Sequence, residues 1–147
     1  MFEWTRERIA YMDDACRRTD FHQRLAAELS PYLRRTNRIC DAGCGLGYLS
    51  LALAPYVGAV TAVERDGQAL AVLEREIETR HIANVTAVRG DVLAYRPDEP
   101  FDAMVFCFFG SMEEILATAA RCCRGTALAV VRNDENHRFS GKSRGPG

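Results

Sequence analysis

The sequence predicts an α/β domain with a doubly wound, mostly parallel open sheet and additional helices at the amino terminus. Three observations predict this fold class. Runs with the composition of β-strands alternate with runs of helical periodicity from residue 38 onward. Residues 60–63 and 103–106 are apolar at nearly every position, which is typical of strands covered by helices on both faces. Three alternating glycines join the first strand to the helix that follows it.

The elements can be placed in order along the chain. Residues 5–34 have the pattern of two helices that divide near Thr19 and Asp20, because either side chain can cap the second helix. Pro31 is expected to shorten the end of that helix. The segments that follow are predicted as strand 38–42, helix 47–54, strand 59–64, helix 66–80, strand 85–89, strand 101–108, helix 112–122 and strand 127–132.

Length and charge limit the possible functions. The 147 residues are expected to form one domain, with substrate-covering helices in residues 1–35, a ligand-binding core in 36–132 and a disordered tail in 133–147. Nineteen basic and 20 acidic residues give a net charge of −1, so global charge does not support nucleic acid as a partner. The apolar runs are shorter than the roughly 20 residues of a membrane span, and the start lacks a secretory signal. We therefore expect a cytoplasmic protein without a membrane partner.

The cysteines and histidines do not form a metal-binding pattern. The six cysteines include no CxxC pair, and the three histidines are scattered along the chain. Cys40 and Cys107 fall inside apolar strand patterns, where thiols act as small hydrophobic groups. We therefore predict no metal, no disulfide framework, and thiols that are reduced and mostly buried.

The glycine-rich segment carries the functional prediction. Gly43, Gly45 and Gly47 can adopt positive φ and have no Cβ, so the backbone there can turn tightly and approach a ligand closely. Glu64 ends the next strand, 21 residues after Gly43, near the spacing at which a carboxylate can accept both hydroxyls of a ribose. Asp91 follows the third strand and is expected at the same edge of the sheet. The layout predicts a nucleoside-cofactor site, while the alternative is that the glycines form an ordinary turn, Glu64 faces solvent and Asp91 caps a turn.

The residue after the glycines narrows the cofactor class. Tyr48 stands where a dinucleotide-binding loop would have its last glycine, which favours a cofactor without a pyrophosphate and disfavours a nicotinamide oxidoreductase. The pattern in residues 41–47 resembles the first motif of the class I S-adenosylmethionine-dependent methyltransferases, which have a Rossmann-like core. The resemblance implies that this loop holds the methionine and ribose parts of S-adenosylmethionine. The residues implied to line the cofactor are Asp41, Ala42, Gly43, Cys44, Gly45 and Gly47.

Three further segments match the same family in order and extend the resemblance over residues 36–132. Residues 63–65 resemble the second motif, whose acid holds the ribose hydroxyls. Residues 90–92 resemble the third, in which the acid accepts from the adenine amino group and the next residue packs on the ring. Residues 101–108 resemble the fourth strand, whose end borders the methyl group. The further cofactor-binding residues implied by this resemblance are Glu64, Arg65, Asp91, Val92 and Phe108.

No catalytic residue is assigned from the sequence. A general base is needed only when the methyl acceptor arrives protonated, and His81 is predicted at the opposite edge of the sheet. His22, Asp134 and His137 could lie over the site, but a surface position is the simpler interpretation for the histidines. Asp102, at the start of its strand, is expected to be a turn or capping residue.

The residues after the fourth strand bear on the acceptor. Phe108 could wall the methyl-transfer cavity or fill core, whereas Phe109 is expected in the core. Nucleic-acid amino methyltransferases carry an Asn or Asp, Pro, Pro, aromatic motif at this place, and residues 107–110 do not match it. The acceptor, small or macromolecular, therefore stays unidentified, and base-amino methylation loses support.

The resemblance also raises a question about completeness. The full family sheet continues beyond a fifth strand, whereas this chain stops there, so we expect a form of the fold without its last strands. Strand 127–132 would then be an open edge that could pair with a second copy in a homodimer. The leading hypothesis is an S-adenosylmethionine-dependent methyltransferase with an unidentified acceptor. The alternative is a non-catalytic, cofactor-binding fragment of a longer methyltransferase.

Overall fold

The computed structural model describes residues 3–131, and its sheet has the predicted doubly wound, parallel arrangement. The expectations for residues 132–147, which include the disordered tail, Asp134 and His137, lie outside the described residues. All neighbouring strand pairs are parallel. The strands are β1 (Arg38–Ala42), β2 (Ala59–Glu64), β3 (Val85–Arg89), β4 (Phe101–Cys107) and β5 (Cys123–Val130), in the spatial order β3-β2-β1-β4-β5.

Local capping determines where several helices begin. The helices are α1 (Arg6–Arg18), α2 (Phe21–Leu29), α3 (Tyr48–Leu53), α4 (Gly67–Thr79) and α5 (Met112–Cys122). Thr5 Oγ1 accepts from the backbone N of Arg8 at the start of α1, and Asp66 Oδ1 accepts from two backbone N–H groups at the start of α4. Ser111 and Glu114 form a capping box at the start of α5. These side chains satisfy backbone donors that a helix start would otherwise leave unpaired.

Most predicted boundaries are confirmed. The predicted limits of β1, β2, β3 and α5 agree with the observed ones, and α1 and α2 separate at Thr19 and Asp20. A 3₁₀ turn at Ser30–Tyr32 ends α2 around Pro31, as expected. Helix α3 is shorter than predicted because a second proline-containing 3₁₀ turn, Ala54–Tyr56, follows it. None of the helices in residues 3–131 has the length and apolar character needed to cross a membrane.

The order of the strands reverses at β1, which lies between β2 and β4. From β1 the chain builds outward through β2 and β3, then returns to the other side of β1 for β4 and β5. Buried apolar clusters cover the two faces of the sheet, with Ile39 in one cluster and Cys40 in the other. In such sheets, ligands bind outside the carboxyl ends of the strands at the point of reversal, here between β1, β2 and β4.

Strand β5 differs from the prediction at its start. It begins at Cys123, directly after α5 and four residues before the predicted start, and the predicted end at residue 132 lies outside the described range. Within residues 3–131 only β4 pairs with it, which leaves the predicted open edge, and several of its side chains are exposed. The homodimer through this edge stays a prediction.

A register shift at the start of β5 depends on Gly125. The pairing slips between Phe101 and Ala103, and there a Cβ on Gly125 would overlap the backbone carbonyl oxygen of Asp102. Backbone cannot move aside as a side chain can, so we expect Gly125→Ala to lower the free energy of unfolding by about 1–3 kcal/mol. Urea denaturation measures this change. Gly90→Ala is the matched control, because a Cβ there would meet no atom within 4 Å; equal stability of the two variants would contradict the prediction.

Candidate cofactor-binding site

The three glycines turn the chain sharply between β1 and α3. Gly43, Gly45 and Gly47 have φ values of +66°, +60° and +87°, which side-chain-bearing residues rarely adopt. The turn is held by backbone hydrogen bonds: Cys44 N donates to Val63 O at 2.9 Å, and Gly47 N donates to Cys44 O at 3.0 Å. The loop is therefore tied to the end of β2, where the predicted ribose-binding acid lies.

Glu64 contacts the glycine loop directly. Its Oε1 accepts from Gly45 N at 2.9 Å, and its Oε2 accepts from Asp66 N at 3.0 Å. The residue is only 8% exposed, so the alternative that this acid simply faces solvent is wrong. Each carboxylate oxygen can accept a second hydrogen bond, which leaves capacity for two hydroxyl donors. The backbone thus fixes this carboxylate beside the loop before any ligand is present.

Asp41 lies beneath the loop, near the carboxyl end of β1. It is 2% exposed, and its Oδ2 accepts from the hydroxyl of Ser50 on α3 at 2.6 Å. Burial raises the pKa of Asp41 to about 6, and the nearby Glu64 carboxylate adds to this effect, while the Ser50 hydrogen bond opposes it. The Asp41–Ser50 contact joins the strand to the helix across the glycine turn.

The raised pKa of Asp41 predicts a specific pH dependence of stability. As pH rises, the unfolded chain releases this proton near its ordinary pKa of 3.8 and the folded chain only near 6. The stability that Asp41 contributes is therefore full below about pH 4 and is lost as pH rises to about 6. We expect Asp41→Asn to abolish that loss, which amounts to about 1.4 kcal/mol per unit of pKa difference. Urea unfolding of both proteins from pH 4 to 7 measures it.

Asp102 provides a control for Asp41, because the pH dependence of its contribution to stability has the opposite sign. Its carboxylate accepts from the backbone N of Arg38 at 2.8 Å and from Arg124 Nε at 2.9 Å, and these contacts lower its pKa. Its contribution to stability is therefore present above its ordinary pKa and is lost on acidification. A difference in stability between Asp41→Asn and wild type that stays constant from pH 4 to 7 would contradict the assignment for Asp41.

The third predicted motif forms a turn after β3. Asp91 is exposed, and its Oδ1 accepts from the backbone N of Leu93 at 3.0 Å, so the turn-forming interpretation holds. The other carboxylate oxygen of Asp91, Oδ2, takes no part in this hydrogen bond. Val92 is 2% exposed and packs into a core cluster while also lining the cleft. Arg65 is exposed, and its carbonyl oxygen accepts from Arg89 Nε at 3.3 Å.

The strand ends, the glycine loop and the N-terminal helices enclose a cleft of about 660 Å³. Of the eleven residues predicted to bind the cofactor, only Ala42 does not line it, because this side chain is fully buried in the cluster on the opposite sheet face from Asp41. His81 is absent from the lining, as expected. The predicted residues that line the cleft are Asp41, Gly43, Cys44, Gly45, Gly47, Glu64, Arg65, Asp91, Val92 and Phe108.

The space above the glycines differs from the expectation. We expected bare peptide open to a ligand, but a Cβ on Gly43 would overlap the ring of Phe109, and one on Gly45 would lie 3.1 Å from Cζ2 of Trp4. A Cβ on Gly47 would lie only 2.5 Å from the nearest atom of Leu73 on α4. The absence of a side chain at Gly47 therefore allows this helix to pack closely. The absence of side chains at the first two glycines thus admits two aromatic rings of the protein itself.

The two phenylalanines after β4 have different environments. Phe108 is 52% exposed with φ +54°, and it lines the cleft rather than the core. Phe109 is partly buried against a core cluster but also lines the cleft, so the expectation of a purely core residue is corrected. Both rings are positioned by the turn into α5, whose capping box begins two residues later.

The N-terminal helices, expected to cover the substrate, supply part of the lining; His22 was considered for a position over the site, whereas Met12 and Cys16 were not predicted. Trp4, Met12 and Cys16 reach the cleft from the N-terminal segment, together with His22 of α2. Partial burial lowers the pKa of His22, so its imidazole is neutral at pH 7 and able to accept a proton. The signal in the sequence for these N-terminal lining residues was a tryptophan, Trp4, directly before a largely polar helix.

Thiols form part of the wall of the cleft. Burial raises the pKa of Cys107 to about 12, and it also raises the pKa of Cys16 and of Cys44. These groups are therefore protonated at neutral pH and behave as small apolar side chains. The six cysteines are unpaired, and the part of the chain that is described contains no group of three or more metal-ligating side chains.

The class of the protein follows from the strand order: this is a Rossmann-like domain, with a cleft at the strand reversal, where such folds bind ligands. Sequence comparison then identifies the family. A family model described as a methyltransferase domain matches residues 39–126, which is more than half of the chain. The chain belongs to this methyltransferase family. No curated protein matches it.

Solved structures share the fold. The YcgJ protein of Bacillus subtilis has a TM-score of 0.62 and 22% identity, covering 72% of this chain and 47% of that one. An S-adenosylmethionine-dependent methyltransferase of Thiobacillus denitrificans, solved with S-adenosyl-L-homocysteine, has a TM-score of 0.63 and 22% identity, covering 71% and 46%. TYW2 of M. jannaschii, solved with AdoMet, has a TM-score of 0.62 and 17% identity, covering 72% and 49%. This chain therefore spans about half the length of these structures, and at such identities the likeness shows the fold alone.

Proposed function

We propose that this protein binds S-adenosylmethionine in the cleft and transfers its methyl group to an acceptor that is not yet identified. The observation that carries the proposal is Glu64, a buried carboxylate held by the backbone N of Gly45 at the predicted ribose position. Asp91 lies in the same cleft at the predicted adenine position. The match of residues 39–126 to a methyltransferase domain supports the same assignment.

In this proposal the protein contributes binding, orientation and exclusion of water. S-adenosylmethionine supplies an electrophilic methyl group on a sulfonium centre. Glu64 and Asp91 hold the sugar and base, while Phe108, Phe109 and Cys107 wall the end of β4 and keep water from the reacting groups. An acceptor that arrives protonated would need a base, and His22 is the neutral imidazole in the cleft lining.

Calorimetric titration tests the cofactor. We expect S-adenosylmethionine and its demethylated product to bind and NAD not to bind, because the loop lacks the last glycine of the dinucleotide pattern and has Tyr48 there. Binding of NAD alone would point to an oxidoreductase. Absence of all three binding signals from folded protein would remove the proposal.

The second candidate is a non-catalytic, cofactor-binding protein. The observation that favours it is that, within residues 3–131, no strand pairs with the outer edge of β5. Incubation with S-adenosylmethionine and a cell extract separates the two candidates, with Glu64→Ala protein as the control. Demethylated product formed by the wild type above the level of the variant supports the enzyme, and product at the control level supports the second candidate.

A further inference from the structure

The first helix covers the cleft with little apolar burial. None of the side chains of α1 is fully buried, and of its apolar residues Ile9 and Cys16 pack partly against the core. Within residues 3–131 its backbone approaches other elements only at isolated points, whereas α2 packs closely on α3. A segment with so few apolar contacts is expected to open locally at a lower free-energy cost than the core.

Polar contacts fasten this helix to the domain. Asp13 accepts from the Tyr48 hydroxyl and from Arg17 Nε, and Arg17 Nη2 donates to Glu76 of α4 at 2.8 Å. Glu76 is buried and also pairs with Arg80 at 2.8 Å. We call Asp13, Arg17, Tyr48 and Glu76 the latch. Because Tyr48 is the first residue of α3, the latch reaches the element that begins directly after the glycine loop.

Trp4, just before α1, lies against that loop. Its indole Cζ2 is 3.1 Å from the position that a Cβ on Gly45 would occupy. The surface of Gly45 is where we propose that the cofactor approaches the backbone, so the indole and the cofactor compete for the same space. Met12 and Cys16 continue the N-terminal wall of the cleft on the side of α1.

We infer that residues 4–18 form a lid on the cofactor cleft, with Trp4 as a plug over Gly45 and the latch as its fastening. Trp4 must leave Gly45 before the cofactor can enter, and it is displaced while the cofactor is bound, so a broken latch accelerates binding and leaves dissociation unchanged. The role of the lid in cofactor exchange rests on the proposed function. The attachment of the lid by the latch does not rest on the proposed function, because it can be measured without a ligand.

Helix α1 provides a matched control for the latch. Asp14 and Arg18 form a second ion pair, at 2.9 Å and with the same spacing as Asp13 and Arg17, but one residue further along and exposed to solvent. Asp13→Ala and Asp14→Ala therefore make the same chemical change at adjacent positions. Arg17→Gln and Arg18→Gln form a second matched pair.

The sole tryptophan of the chain reports on the lid. In ligand-free protein we expect Asp13→Ala to raise acrylamide quenching of Trp4 fluorescence about twofold and Asp14→Ala to leave it unchanged. In stopped-flow mixing with S-adenosyl-L-homocysteine, Asp13→Ala should bind about fivefold faster with an unchanged dissociation rate, and the fivefold gain in affinity corresponds to about 1 kcal/mol. The Arg17→Gln and Arg18→Gln pair should repeat the contrast.

The outcomes separate the lid from the proposed function. Equal quenching in Asp13→Ala and Asp14→Ala would overturn the lid, whether or not the protein binds the ligand. Increased quenching with unchanged binding rates would overturn the role of Trp4 as a plug. Failure of the wild type to bind S-adenosyl-L-homocysteine, with the quenching contrast present, would overturn the proposed function and leave the latch in place.

Discussion

Gly45→Val is expected to weaken S-adenosylmethionine binding by roughly 100-fold or more while leaving the domain folded. Valine at φ +60° is strained, at a cost on the order of 1–2 kcal/mol, and its Cβ would lie 3.1 Å from the Trp4 ring. Relaxation to negative φ turns the backbone N away from Glu64 and costs a charge-assisted hydrogen bond of about 1.5–3 kcal/mol. The valine side chain also fills the space proposed for the cofactor.

Calorimetric titration of Gly45→Val with S-adenosylmethionine measures this effect, and circular dichroism confirms that the fold is retained. Adding Trp4→Ala to Gly45→Val removes the contact with the indole but not the strain at residue 45. We therefore expect the double variant to remain defective. A dissociation constant within threefold of wild type for Gly45→Val would show that the cofactor does not approach the loop at this glycine.

Glu64→Ala is expected to lower both cofactor affinity and stability. Two charge-assisted hydrogen bonds to a ribose would be lost, which weakens binding by about 1–3 kcal/mol. The backbone N–H groups of Gly45 and Asp66 also lose their acceptor. The free energy of unfolding should therefore fall as well, by about 1–3 kcal/mol. The first effect is read by calorimetry and the second by urea denaturation.

Glu74→Ala is the matched control for Glu64→Ala, because this glutamate is exposed on α4 and does not line the cleft. It should leave affinity and stability unchanged. Loss of stability in Glu64→Ala with unchanged affinity would assign this carboxylate to loop structure alone. Unchanged stability would contradict the importance of its backbone contacts.

Much of the fold could be predicted because its strand ends are marked by local chemistry. Strands β1, β2 and β3 are short apolar runs, and glycine or a capping acid follows each of them. The start of β5 was missed because residues 123–126 include an arginine and a glycine and have weak strand composition. Pairing with β4 overrides that local preference, since tertiary contacts decide strand formation in weak segments.

The site was predictable where its residues follow strands in sequence. Glu64 and Asp91 were placed at one edge because parallel strands end together. The sequence does not reveal that Phe109 and Trp4 cover Gly43 and Gly45, because these rings come from segments distant along the chain. Phe109 reaches the loop because β4 pairs with β1, and Trp4 reaches it from the segment before α1.

A crystal structure of the protein with S-adenosyl-L-homocysteine tests the proposed cofactor site most directly. We expect the nucleoside at the carboxyl ends of β1 and β2, with its ribose hydroxyls on Glu64, its adenine amino group near Asp91, and Trp4 displaced from Gly45. A ligand bound elsewhere, or a cleft that remains closed by Trp4 and Phe109 at saturating ligand, would contradict it.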